Sequence, residues 1–142
     1  MDLIESLYAR LKDNAGVIAA AGVDDAGVAK VYPVIAPQSI DAPFHVFQVI
    51  AGLTDHAMVA DGGVRGTLVQ FASWGKTREQ SRALAEAVNA SLKDFSGAAM
   101  GGTGGVNVSR IFEETEYLED FEEGAAQEGL WVTRQDMTVW YE

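Results

Sequence analysis

The sequence contains no cysteine. Disulfides, thiolate metal centres and a cysteine nucleophile are thereby excluded. Basic residues are scarce: 10 Lys and Arg stand against 21 Asp and Glu, a formal net charge of −11. Sequence-independent binding to a phosphate backbone needs clustered Lys and Arg, so that class of activity is excluded too. Histidine is limited to His45 and His56. Neither has companions at ligand spacing, and a metal site needs three or four converging ligands. The longest uncharged stretch of the first third, Ala15 to Val23, is too short to span a bilayer. The start Met1-Asp2-Leu3-Ile4-Glu5 places two acids where a secretory signal carries positive charge and an apolar run. The expectation is a protein made in the cytosol, soluble, with no membrane partner.

What remains is globular in composition. The 142 residues are 48% hydrophobic and 22% charged, which fits one domain over residues 1–142. A chain of this size buries about 68–70% of its unfolded surface, enough for a core without covalent staples.

Local patterns predict the elements. Leu3, Ile4, Leu7, Tyr8 and Leu11 recur at helical spacing, and a short second helical turn runs to Ala21. Lys30 to Pro33 reads as a short strand. Phe44 to Leu53 reads as a strong one, apolar on both alternating sets and so expected to be covered on two faces. Asp61-Gly62-Gly63 signals a turn, and Val64 to Trp74 the antiparallel return, with Gly66 as a bulge position. Thr77 as N-cap with Gln80 three residues on starts a central helix carrying Leu84, Val88 and Leu92. Residues 97–105 hold five glycines and read as a flexible connector. Val106 to Leu118 reads as one strand, Asp120 to Gly129 as an acidic loop, and Leu130 to Tyr141 as the last strand. The fold class is α+β: antiparallel sheet packed with an N-terminal helix and one central helix.

Candidate chemistry is thin. Gly75-Lys76-Thr77 lies between strand and helix, as in a phosphate-binding loop, but Gln70 stands where the loop's first glycine belongs. A turn and helix cap explain it better. The glycine segment follows a helix and precedes a strand, the reverse of a dinucleotide fingerprint. Asp24-Asp25 lacks the alternating carboxylates of a calcium loop. No serine sits in a nucleophile elbow. The expectation is no enzyme, no catalytic residue, no metal and no cofactor.

The charge has a place. Residues 113–123 hold seven acids: Glu113, Glu114, Glu116, Glu119, Asp120, Glu122 and Glu123. Without them the formal charge falls from −11 to −4. Such a run is either a solvated face or a wall that repels nucleic acid or meets a basic partner. Trp74, Trp131 and Trp140 read as core or inter-sheet packing or, because two strands are apolar on both faces, in part as aromatic surface at an oligomer contact.

The whole chain resembles the small tail-completion, or tail-terminator, proteins of long-tailed phages with non-contractile tails and of related tail-like particles, including gene transfer agents. Four stretches carry the likeness: Leu7 to Lys12; Val31-Tyr32-Pro33 with Ala36-Pro37-Gln38 and Ala42 to Gln48; Asp61-Gly62 with Val69 to Trp74 and Thr77 to Ala85; and Arg134 to Tyr141. The glycine run 98–105 and the dense acids at 113–123 depart from the pattern.

The resemblance implies a subunit of a six-membered ring that caps the tail tube, ends tube polymerisation and offers a head-joining surface. It implies as partners further copies of the chain, the tail tube protein and a neck or head-completion connector, with DNA passing through the lumen unbound. It implies a place first in the host cytoplasm and then at the head-proximal end of the tail. A closing ring needs a heterologous contact. We place Asp55, His56, Met58, Asp61, Arg65, Phe71, Trp74, Trp131 and Trp140 at ring or tube contacts, and the seven acids on a lumen or partner face. Two other readings stay open: a different neck connector, and a monomeric small-molecule-binding or immunity-type domain.

Overall fold

The computed structural model describes residues 2–53, 65–93, 95–96, 98–124 and 127–142. The elements are α1 (Leu3–Lys12), α2 (Ala15–Ala21), β1 (Val31–Pro33), β2 (Phe44–Leu53), β3 (Arg65–Gly75), α3 (Arg78–Leu92), β4 (Ala98–Ala99), β5 (Asn107–Glu113), β6 (Leu118–Gly124) and β7 (Gln127–Tyr141). The fold is α+β, with α1 and the central α3 packed on a mostly antiparallel sheet.

Helix ends follow from their caps. Asp2 and Glu5 form a reciprocal capping box, each side chain accepting the other's backbone N–H at 2.8 Å. At α3, Thr77 Oγ1 accepts from Gln80 N at 3.1 Å. The return arm differs from the expected box: Gln80 Oε1 accepts from Lys76 N at 2.9 Å rather than from the cap residue.

The sheet order is β1-β2-β3-β7-β5-β4, with β6 also on β7. The β1–β2 pair is parallel, so the sheet is mixed rather than wholly antiparallel. Strands β5 and β6 lie in line along one side of β7: Glu113 faces Met137 and Leu118 faces Arg134. The expected single strand 106–118 is therefore two, broken at 114–117. There Thr115 Oγ1 accepts from Asp136 N at 3.0 Å in place of a strand partner. The expected acidic loop after it is largely strand β6, paired through Glu122 with Leu130.

The helices cover one face of the sheet. On that side Leu7, Leu11, Leu84 and Val88 meet Phe47, Val69, Phe71 and Val139 in one core cluster. Ser81 Oγ to Thr133 Oγ1 (3.0 Å) and Asn89 Nδ2 to Gln135 Oε1 (2.9 Å) fix α3 over the odd-numbered side chains of β7. Strand β2 is accordingly covered on one face only: His45 and Phe47 are buried, while Phe44 and Val46 on the other set are half-buried and Gln48 is exposed. The bulge lies in β2 between Val49 and Ala51, not at Gly66. Gly66 instead admits an aromatic ring, since a Cβ there would come within 2.7 Å of Trp140.

The glycine segment is more than a connector. Met100 within it is fully buried, and its N–H donates to Val106 O at 2.8 Å. Gly101 has φ 81, and a Cβ on it would lie 2.9 Å from the Ala9 side chain. Only glycine combines that backbone with so close a helix.

Candidate functional site

Side chains on the second face of the sheet are set by register, because cross-strand partners share a face. Phe44 pairs with Trp74, Val46 with Ala72, Gln48 with Gln70, and Gly66 with Trp140. None of these belongs to the core cluster, and among the described residues no helix packs against them. Phe44 and Trp74 stack at 5.9 Å, and the Arg134 guanidinium lies 5.7 Å from the Trp74 ring centre. Leu68 and Val46 on the same face are half-buried. A one-sided sheet in a monomer presents alternating polar residues to water. This face carries polar residues too, Gln48, Gln70 and Asp136 among them, but adds Phe44, Val46, Leu68, Trp74 and Trp140.

The sequence-predicted contact residues are scattered with respect to it. Trp74 and Trp140 lie on the face. Arg65 is exposed at the start of β3, opposite Tyr141. Trp131 is on the helix side, tilted against Phe121 at 5.2 Å. Phe71 must be corrected: only 3% exposed, it stacks on His45 (5.8 Å) and Phe47 (6.1 Å) inside the core. Asp55, His56, Met58 and Asp61 lie outside the described residues. Phe44 was missed, although its place at the first position of an alternating strand marks it. Arg134 was missed because nothing local marks an arginine that covers a tryptophan.

The acids do not form one wall. Alternation sends Glu113 and Glu119 toward the helices, and Asp120 and Glu122 to the other side. Most are held by partners. Glu119 accepts from Arg78 Nε at 2.5 Å and Arg82 Nη1 at 3.0 Å. These hydrogen bonds, Arg78 first, hold its carboxyl below the usual carboxylate range. Arg82 also lies 4.3 Å over the Tyr117 ring. Glu122 accepts from Arg134 Nη2 at 2.6 Å, Glu114 from Thr138 Oγ1 at 2.7 Å, and Glu113 from Asn89 Nδ2 at 2.7 Å. Of Glu123 only the strand position is described, and Glu116 is exposed.

The Arg78–Glu119–Arg82 fork pins β6 to α3. Glu119→Ala is expected to speed amide hydrogen exchange across residues 118–122 while leaving that of α3 unchanged. Equal exchange in both proteins would show that pairing with β7 alone holds the strand.

No protein family profile matches this chain. No curated protein matches it in sequence. Its fold is similar to a solved one. A chain in the virion of a native gene transfer agent particle superposes with a TM-score of 0.50 at 15% identity. The match covers 96% of this chain and 92% of that one. At that identity the likeness concerns the fold.

Two more features complete the surface. Val34 has φ 70, and Ile35 N–H donates to Pro33 O at 2.8 Å, closing a three-residue turn. A β-branched residue in that region is strained by about 1–3 kcal/mol. The turn leaves Val34 and Ile35 62% and 76% exposed beside β2. No three His, Asp or Glu side chains converge in a metal-holding group among the described residues. No helix there is long and apolar enough to cross a membrane.

Proposed function

We propose that this protein is a structural subunit of a phage-like particle. It closes into a ring of six on the end of a tail tube, stops tube growth and presents the surface for head joining. The observation that carries the reading is the uncovered sheet face with Phe44, Trp74, Trp140 and Leu68, too apolar for open water and broad enough for a neighbouring subunit. The sequence resemblance to tail-terminator proteins and the fold's likeness to a gene transfer agent virion chain support the same assignment. The partners are further copies of the chain, the tail tube protein and a neck connector. The protein acts without cofactor or catalysis. It assembles in the host cytoplasm and ends at the head-proximal end of the tail.

Charge fits a conduit. Six copies at −11 carry −66 before counterions, and like charge keeps DNA from adhering within a Debye length of ~8 Å. Because the 113–123 acids lie along one sheet edge, we place that edge toward the lumen.

The test is direct. Light scattering is expected to give about 91 kDa, six times 15.2 kDa, and negative-stain microscopy a ring with an axial hole. A monomer at every concentration, and also in the presence of tail tubes, would overturn the proposal. A different neck connector would bind the head vertex rather than the tube end.

A further inference from the structure

Among the described residues, the outer edge of β5 is unpaired for most of its length. Strand β4 covers only Asn107 and Val108, and that pairing stops where the β5–β7 register shifts, between Val108 and Arg110. From Ser109 to Glu113 no described residue pairs with the edge, about 16 Å of strand. Beside it runs a groove of about 620 Å3 between this edge and the C-terminal end of α3. Phe95, Ile111 and Met137 give it an apolar wall, and Asn89 and Glu113 close one end.

Its charge is unlike that of the molecule. Lys93 and Arg110 both line it, and among the described residues neither has a carboxylate within ion-pair distance. Arg110 lies 4.7 Å over the Phe112 ring instead. In a chain of net −11, two unpaired cations beside a free strand edge form a local site for negative charge.

We propose that this groove takes an extended acidic segment of a partner polypeptide, added to the sheet as a strand along residues 109–113. Main-chain hydrogen bonds to the free edge supply affinity, and alternate side chains supply selectivity. One set of the added strand's side chains meets Phe95 and Ile111. The other meets Phe112 and Arg110. Carboxylates belong at the end beside Lys93 and Arg110, away from Glu113. A second copy of this chain is not the occupant. The edge continues into β6, so pairing edge to edge would bring two 113–123 acid runs together, and like charges juxtaposed oppose association. Arg110 and Phe112 share a sheet face with Trp140 and Thr138, so this site borders the proposed ring contact, while the free edge itself and Phe95 and Ile111 lie apart from it.

The probe is a fluorescein-labelled peptide of eight residues, valine and threonine with two adjacent glutamates near one end, one for each face of the added strand, and its counterpart with lysine for glutamate. The acidic peptide is expected to saturate the protein below millimolar concentration. It should also slow hydrogen exchange at the amides of residues 109–113 that do not bond β7. Lys93→Glu with Arg110→Glu, both on exposed side chains, should weaken the acidic peptide about tenfold or more and favour the lysine peptide. Circular dichroism would verify that this variant keeps the fold. Absence of saturation, unchanged exchange at 109–113, or a preference indifferent to the charge reversal would each overturn the proposal. Light scattering of the same variant reads ring formation separately, so failure of this site and failure of the ring are distinguished.

Discussion

Acidification from pH 6.5 toward 3 is expected to remove on the order of 5 kcal/mol of folding stability through one side chain, His45, whose pKa is lowered to about 3. The ring is fully buried, and burial penalises its charged form. It lies 5.8 Å from the Phe71 ring and 6.5 Å from the Phe47 ring. Nδ1 meets Ser73 Oγ at 2.9 Å, and Nε2 has no partner among the described residues. We assign the proton to Nδ1, since a buried N–H without an acceptor costs more than a buried lone pair.

The sign follows from the two states. An unfolded histidine takes up a proton near pH 6.5, while the folded one resists until about pH 3. Below 6.5 the unfolded chain binds more protons, so stability falls with pH, at about 1.4 kcal/mol per unit, and levels off below 3. Urea unfolding between pH 6.5 and 5.5 reads the histidine, because ordinary carboxylates, with pKa values of about 4, are still ionised there. His45→Phe should flatten the slope in that window, at the cost of one hydrogen bond to Ser73. A slope that survives the substitution would assign the acid sensitivity elsewhere.

Trp74→Glu is expected to abolish ring formation while leaving the subunit folded. Trp74 is half-buried against Phe44 and Arg134 on the uncovered face, outside the core cluster. A buried aromatic at an interface contributes about 2 kcal/mol or more per contact. A ring of six repeats the loss at every contact, so the sum is about 12 kcal/mol, enough to dissolve the assembly at micromolar concentration. The new carboxylate also stands near Glu122, which already holds Arg134. Ala83→Glu, on the exposed side of α3, is the matched control and should leave the ring intact. Light scattering reads both variants, with circular dichroism as the check on folding. A Trp74→Glu protein that still forms rings would move the contact off this face.

Much of the fold was legible because its signals are local. The Phe44 to Leu53 strand matches its predicted bounds, since alternation and β-branched residues act within a few residues. The start of α3 was legible in Thr77 and Gln80, which cap the backbone directly. Strand β6 was not. Its Leu-Glu-Asp-Phe-Glu-Glu sequence has weak strand propensity. It becomes a strand because β7 pairs with it and because Arg78, Arg82 and Arg134 neutralise Glu119 and Glu122. Those arginines lie 12 or more residues away, beyond any local pattern. The parallel β1–β2 pairing escaped for a related reason: direction depends on how residues 34–43 carry the chain back, and side-chain alternation is blind to it.

The candidate surface divides along the same line. Composition and the absence of cysteine, of clustered bases and of ligand-spaced histidines determined by themselves that this is an acidic globular chain without thiol chemistry. The count of tryptophans pointed to surface beyond one core. Only the tertiary structure decided which aromatics those are. It placed Phe71 inside against His45 and left Trp74 and Trp140 outside, although all three lie on strands of similar composition. The physical reason is sidedness. A strand's sequence separates its side chains into two sets, but which set the helices cover depends on where α1 and α3 pack, and that choice is made by the whole sheet.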